Sequence, residues 1–230
     1  MRSLTILLIS ILSFQFSYSQ IYELGGFIGG SNFIGDVGAT NFIAPKQLAI
    51  GGMYRWNRSP RHAYRITLTF TDLQGKDSDS DDPRRKQRNY EFSNNIVEIG
   101  GGIEYTFWEF DLHRDKSMAT PYLFTGLTAA HFDNYYFNNN GIRISEDTSS
   151  WAFGIPMAIG VKTTFLDHFI LGFEIAARYT FTDELDGSVA DSKDREQFNF
   201  GNTNNNDWYV FTGVTLTYTF GRNPCYCIYK

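Results

Sequence analysis

After residue 20, apolar and polar residues alternate along most of the chain, the pattern of strands with two unlike faces. In 207–220 one face reads Trp208, Val210, Thr212, Val214, Leu216, Tyr218 and Phe220, and the other Tyr209, Phe211, Gly213, Thr215, Thr217 and Thr219. In 62–73, Tyr64, Ile66, Leu68 and Phe70 oppose Arg65, Thr67 and Thr69. In 94–108, Val97, Ile99, Ile103, Tyr105 and Phe107 oppose Glu98 and Glu104; in 168–180, Phe169, Leu171, Phe173, Ile175 and Tyr179 oppose Glu174 and Arg178. The same period predicts eight strands, near 21–28, 46–56, 62–73, 94–108, 120–132, 151–165, 168–180 and 207–220. Nearly all reach the roughly nine to eleven residues that a tilted strand needs to cross a bilayer.

The connections alternate in length. Those at 29–45, 74–93, 133–150 and 181–206 are long and polar, with Asp77-Ser78-Asp79-Ser80-Asp81-Asp82 in the second and Asn138-Asn139-Asn140-Gly141 in the third. Those at Asn57–Arg61, at Glu109–Ala119 and around Asp167 are short. Long outer loops and short periplasmic turns are the habit of bacterial outer-membrane barrels. The expectation is an all-β, eight-stranded antiparallel up-and-down transmembrane β-barrel in the cell outer membrane, its outer face in lipid and both termini in the periplasm.

Aromatic residues recur at the ends of the apolar faces, as a membrane interface selects. The expected inner girdle holds Tyr22, Trp56, Tyr64, Tyr105, Tyr122, Phe165, Phe169 and Phe220; the outer holds Phe70, Phe132, Phe153, Tyr179 and Trp208. A soluble lipocalin-like barrel is the structural rival, but it would show water a heavily charged face. The polar faces here carry few charges, which suits a crowded interior.

Composition agrees with strands: 17% of residues are aromatic, and there are only 6 prolines. Arg2, the apolar run Leu4–Leu12 and the small residues Ser17 and Ser19 read as a secretory signal over 1–19, leaving 20–230 as one barrel domain. The net charge of −5 comes without a basic stripe, so no nucleic-acid partner is expected. Cys225 and Cys227, one residue apart near the C-terminus, lack the further ligands a metal site needs.

If the apolar face meets lipid, the strand charges point into the lumen. Glu23, Glu98, Glu104 and Glu174 stand against Arg55, Arg65, Lys162 and Arg178, a balanced set that reads as an internal salt-bridge network. An eight-stranded barrel is just wide enough for its own side chains, so a pore is not expected. Glycines within strands, such as Gly100-Gly101-Gly102, Gly160 and Gly172, make room for long facing side chains.

No catalytic residue, metal site, cofactor or small-molecule substrate is expected. His62, His113 and His168 fall at inner turns, and His131 near the outer rim has no serine identified beside it on the outer surface. The Asp77–Asp82 run lacks the spaced ligands of a calcium loop. With Arg84, Arg85, Lys86 and Arg88 behind it, the run reads as a self-neutralising solvated loop that could touch lipopolysaccharide.

Several segments resemble the PorG-like barrels of the Bacteroidota, a family tied to the type IX secretion system. They include Arg55-Trp56-Asn57-Arg58-Ser59-Pro60 leading into Tyr64-Arg65, Arg88-Asn89-Tyr90-Glu91-Phe92, Thr120-Pro121-Tyr122-Leu123-Phe124 and Gly160-Val161-Lys162. Glu174 with Arg178-Tyr179-Thr180-Phe181-Thr182-Asp183, Asp207-Trp208-Tyr209 and Leu216-Thr217-Tyr218-Thr219-Phe220 continue the likeness to the end of the barrel. The resemblance implies a part of the secretion and gliding machinery that associates with a periplasmic ring containing a lipoprotein; it supplies no catalytic residues. Topology then offers the short turns as the partner surface, with Asn57, Arg58, Pro60, Asp111, His113, Arg114, Asp167 and His168 as candidate contacts. A structural or adhesive barrel and a lipid-modifying barrel enzyme remain as alternatives.

Overall fold

The computed structural model describes residues 21–111, 117–166, 168–202 and 205–221. The expected signal segment, His113, Arg114, Asp167, Cys225 and Cys227 lie outside the described residues. Eight strands follow one another: β1 (Ile21–Ile34), β2 (Gln47–Asn57), β3 (His62–Lys76), β4 (Glu91–Thr106), β5 (Ala119–Phe137), β6 (Arg143–Leu166), β7 (Phe169–Thr180) and β8 (Trp208–Phe220). Each pairs antiparallel with its chain neighbours, and β1 pairs with β8 from Tyr22↔Phe220 to Ile34↔Trp208, so the sheet closes into a barrel without an edge. Closure satisfies the backbone groups that an open sheet would leave unpaired.

The strands run farther on one side than the apolar pattern predicts. β5 continues to Phe137 and β6 begins at Arg143, so the third long connection shrinks to a turn at 138–142. There Asn138 N–H donates to Ile142 O at 3.0 Å, and Gly141 takes a positive φ of 74°. β3 and β4 likewise stay paired out to Lys76↔Glu91. Hydropathy marks where a strand meets apolar surroundings. Ladder hydrogen bonds form as readily between polar residues standing in water, so the pattern ends before the strand does.

The second connection is also not a free loop. A 3-10 turn at Asp77–Asp79 precedes a short helix, α1 (Pro83–Arg88). Asp82 caps α1 by accepting from Arg84 N–H at 2.8 Å, Pro83 sits where no donor is needed, and Asn89 at φ 58° ends it.

Glycines let neighbouring strands approach closely in the barrel wall. Gly102 pairs with Gly126 across β4 and β5, and a Cβ on Gly126 would stand 2.1 Å from Gly101 O. A Cβ on Gly160 would meet the Tyr122 ring at 2.5 Å, so the small residue fits the large one opposite it.

Candidate functional site

Two girdle assignments change sides. Tyr122 and Phe132 are both fully buried in the lumen. In β5 both faces carry apolar residues, so parity alone did not separate them. Pairing puts Tyr122 on the inward face with Thr120 and Phe124, while Leu123 and Leu127 face out.

The eight strand charges are all buried. Arg55 lies between two carboxylates: its Nη1 binds Glu23, and its Nη2 is 2.9 Å from Glu104 Oε2. Glu104 takes a second cation, Lys162 Nζ at 2.7 Å, while Glu23 is completed by Asn57 Nδ2 and Thr217 Oγ1, each donating at 2.8 Å. Arg65 makes a two-pronged contact with Glu174, whose Oε2 also accepts from Tyr122 OH at 2.7 Å. Arg65 Nη1 reaches Glu104 at 3.8 Å, which joins these six charges into one network. Arg178 and Glu98 form a separate pair at 3.1 Å, with Tyr209 OH donating to Glu98 at 2.6 Å. Every carboxylate is thus held by at least one cation and one further donor or cation, the condition under which buried ions are tolerated.

An apolar stack absent from the sequence reading fills the lumen beyond these charges. Phe27, Met53, Phe211 and Tyr209 lead to Phe33, Phe92, Phe132, Tyr135, Phe137 and Leu185, all in one buried cluster. Arg178 lies 4.5 Å from the centre of the Phe211 ring, linking charges to aromatics. At the other end Phe110, from the β4–β5 turn, is buried beneath Lys162 Nζ at 4.9 Å from its ring centre. A luminal cavity of about 10 Å³ bordered by Phe27, Met53, Arg65, Thr67, Glu174 and Phe211 is room for about one water.

The exterior is the reverse. Leu24, Ile28, Leu48, Ile50, Ile66, Leu68, Ile99, Ile103, Leu127, Ile159, Phe173, Val214 and Leu216 are exposed, so every strand contributes apolar side chains to one continuous outer belt. Tyr54, Tyr64, Tyr105, Tyr218 and Phe220 rim it toward the short turns, and Phe70, Trp151 and Phe153 toward the long connections. A patch of this extent on the surface of a soluble barrel would drive association.

The proposed turn residues are spread unevenly. Asn57 turns inward to Glu23 instead of lining the turn surface, because a strand end facing a buried carboxylate is drawn into it. Arg58 and Pro60 remain at the turn, where Pro60 O accepts from Thr106 Oγ1 at 3.1 Å and Phe110 N–H at 2.9 Å. His168 is exposed, with its carbonyl accepting from Thr219 N–H at 2.8 Å; Asp111 adjoins Phe110 and is half-buried.

One serine does lie beside His131. Ser149 Oγ is 3.0 Å from His131 Nε2 on the outer surface, a cross-strand contact that the reading of 133–150 as loop had hidden. Among the described residues no carboxylate hydrogen-bonds the ring, and no group of three His, Cys, Asp or Glu side chains is arranged to hold a metal ion.

The family model described as domain of unknown function DUF6089 matches residues 2–229. The chain belongs to this family. No curated protein matches it. Among solved structures the DUF6089 chain is similar to a major outer membrane protein from Thermus thermophilus, at 10% identity and a TM-score of 0.46 over 88% of this chain and 100% of that one. It is also similar to Ail, the attachment invasion locus protein of Yersinia pestis, at 9% identity and a TM-score of 0.45 over 88% and 99%. The N-terminal β-barrel domain of Pseudomonas aeruginosa OprF gives 12% identity and a TM-score of 0.43 over 89% and 100%.

Proposed function

We propose that this chain is a non-enzymatic outer-membrane barrel acting as a sealed scaffold, with its short turns presented to periplasmic partners. The observation that carries the reading is the inverted sidedness: a closed sheet with paired ions inside and an apolar belt outside. A lumen plugged by charge pairs and aromatics leaves the turns and outer connections as working surfaces. The ordered likeness of Arg55–Pro60, Thr120–Phe124 and Arg178–Asp183 to PorG-like barrels supports a place in type IX secretion and gliding, docking on a periplasmic ring with a lipoprotein. Arg58, Pro60, Asp111 and His168, with His113, Arg114 and Asp167, are the proposed contacts.

Clean deletion is expected to abolish export of secreted cargo, and the tagged barrel to co-purify from detergent-solubilised membrane with periplasmic ring proteins. Normal export in the deletion strain overturns the secretion reading. A second reading, an adhesive or structural barrel, draws support from Phe42 and Ile43, exposed on the first outer connection. Excision of that segment with export unchanged and surface attachment lost would favour it.

A further inference from the structure

Opposite the short turns, the long connections close over the barrel end and are tied by carboxylates. Asp186 Oδ2 accepts from the N–H groups of Asp36 and Val37 at 2.8 and 3.0 Å, and its Oδ1 from Ser188 N–H at 3.0 Å. Asp36 Oδ2 accepts from Asn202 N–H at 2.9 Å, and Asp207 Oδ2 from Leu185 N–H at 3.0 Å. These bonds seat residues 185–188 and 202 on residues 35–38, over the fully buried Val37 and Leu185.

Two arginines reach the seat, through its backbone: Arg85 Nη1 donates to Gly35 O at 2.9 Å and Gly38 O at 2.8 Å, and Arg88 Nη2 donates to Asp36 O at 2.7 Å. Arg85 is 3.9 Å from the Asp36 carboxylate and Arg88 is paired with Asp77 at 2.8 Å, so among the described residues no cation forms an ion pair with Asp183, Asp186 or Asp207. From β5 comes Tyr135, its hydroxyl donating to Leu185 O at 3.0 Å, and from β6 come Arg143 over the Tyr135 ring and Glu146, 3.5 Å from Arg195. Glu184 and Asp191 add further negative charge from the connection itself. Asp207, with no exposed surface, leaves Oδ1 unpartnered against Gly35, where a Cβ would stand 2.4 Å away; Asp183 Oδ2 is likewise buried and unpartnered. An ionised carboxylate in that setting is costly, and protonation removes the buried charge.

We propose that this cap is a proton latch: Asp207, together with Asp183, holds a proton while residues 183–188 are seated on 35–38, and losing the proton releases the seat. Burial, then Asp186, Asp36 and Glu184, push Asp183 up to about 8, and burial with Asp186 and Asp183 pushes Asp207 well up. A carboxyl whose pKa is raised on folding favours the protonated, seated form. The stabilisation is therefore complete below the ordinary carboxylate range and is lost as pH rises toward about 8.

Hydrogen exchange on the full barrel in lipid nanodiscs tests this. Between about pH 6 and about pH 9, amides at 35–38 and 183–188 should lose at least about tenfold of their protection after correction for intrinsic exchange, with the strands unchanged. Asp207→Asn and Asp183→Asn, which keep the shape and remove the titrating charge, should shrink that loss to under about twofold. Equal wild-type protection at both pH values, or a full pH response in both variants, overturns the proposal. Restoration of protection at high pH by millimolar calcium also overturns it, since a cation would then be the missing charge. If Asp207→Asn fails to form a barrel by its heat-shifted gel mobility, Asp183→Asn and the wild-type profile decide.

Discussion

Glu104 shows how much one residue carries in this lumen. It is fully buried, and Arg55, Lys162 and Arg65 all point at it. Glu104→Gln would leave Lys162 without an anion and Arg55 with Glu23 alone. The expected cost is about 3–5 kcal/mol, read from urea unfolding in lipid vesicles. Replacing Glu104 and Lys162 together by Leu and Met should recover much of that loss, because an apolar pair has no stranded charge. If the single variant is as stable as the wild type, the network contributes packing volume and nothing more. That these eight residues carry charge is plain in the sequence. Which acid meets which base was not, because Arg65 and Glu174 lie far apart in the chain and meet across the lumen.

At the scale of elements, strand and membrane span are different things. Ile66 lies in the middle of β3, exposed in the belt, whereas Ile144 lies on β6 in the hairpin that projects past it. Ile66→Arg should cost about 2–4 kcal/mol in vesicle unfolding, the penalty for a lipid-facing cation. Ile144→Arg should change stability by less than about 0.5 kcal/mol, as at an ordinary wet surface. Equal costs would mean that the belt reaches the hairpin. A second element-level test is Gly126→Val, whose added carbon would collide with the Gly101 carbonyl on β4. The loss expected is at least about 3 kcal/mol, or failure to give a heat-shifted band on a gel.

For the molecule as a whole, the plugged lumen predicts electrical silence. The purified barrel in planar bilayers should show no steady conductance. Truncating Phe110 to Ala together with Arg178 to Ala should still give none lasting, because Phe27, Phe92 and Phe132 close the lumen farther along. Sustained wild-type conductance would contradict a sealed scaffold.

The sequence by itself determined the fold class, the number of strands, the direction of alternation and the identity of the luminal ions. All of these follow from period-two patterning, which each strand expresses locally through which neighbours are apolar. Besides the pairing of the luminal ions, tertiary structure alone decided three things. Strand ends lay beyond the hydropathy signal, since polar residues pair as well as apolar ones. Tyr122 and Phe132 went inward, since in β5 both faces are apolar and only pairing with β4 and β6 separates them. The acidic cap came from residues as distant as Asp36 and Asp186, whose meeting no local pattern announces. A barrel's faces are written in its strands; what closes its ends depends on which loops meet.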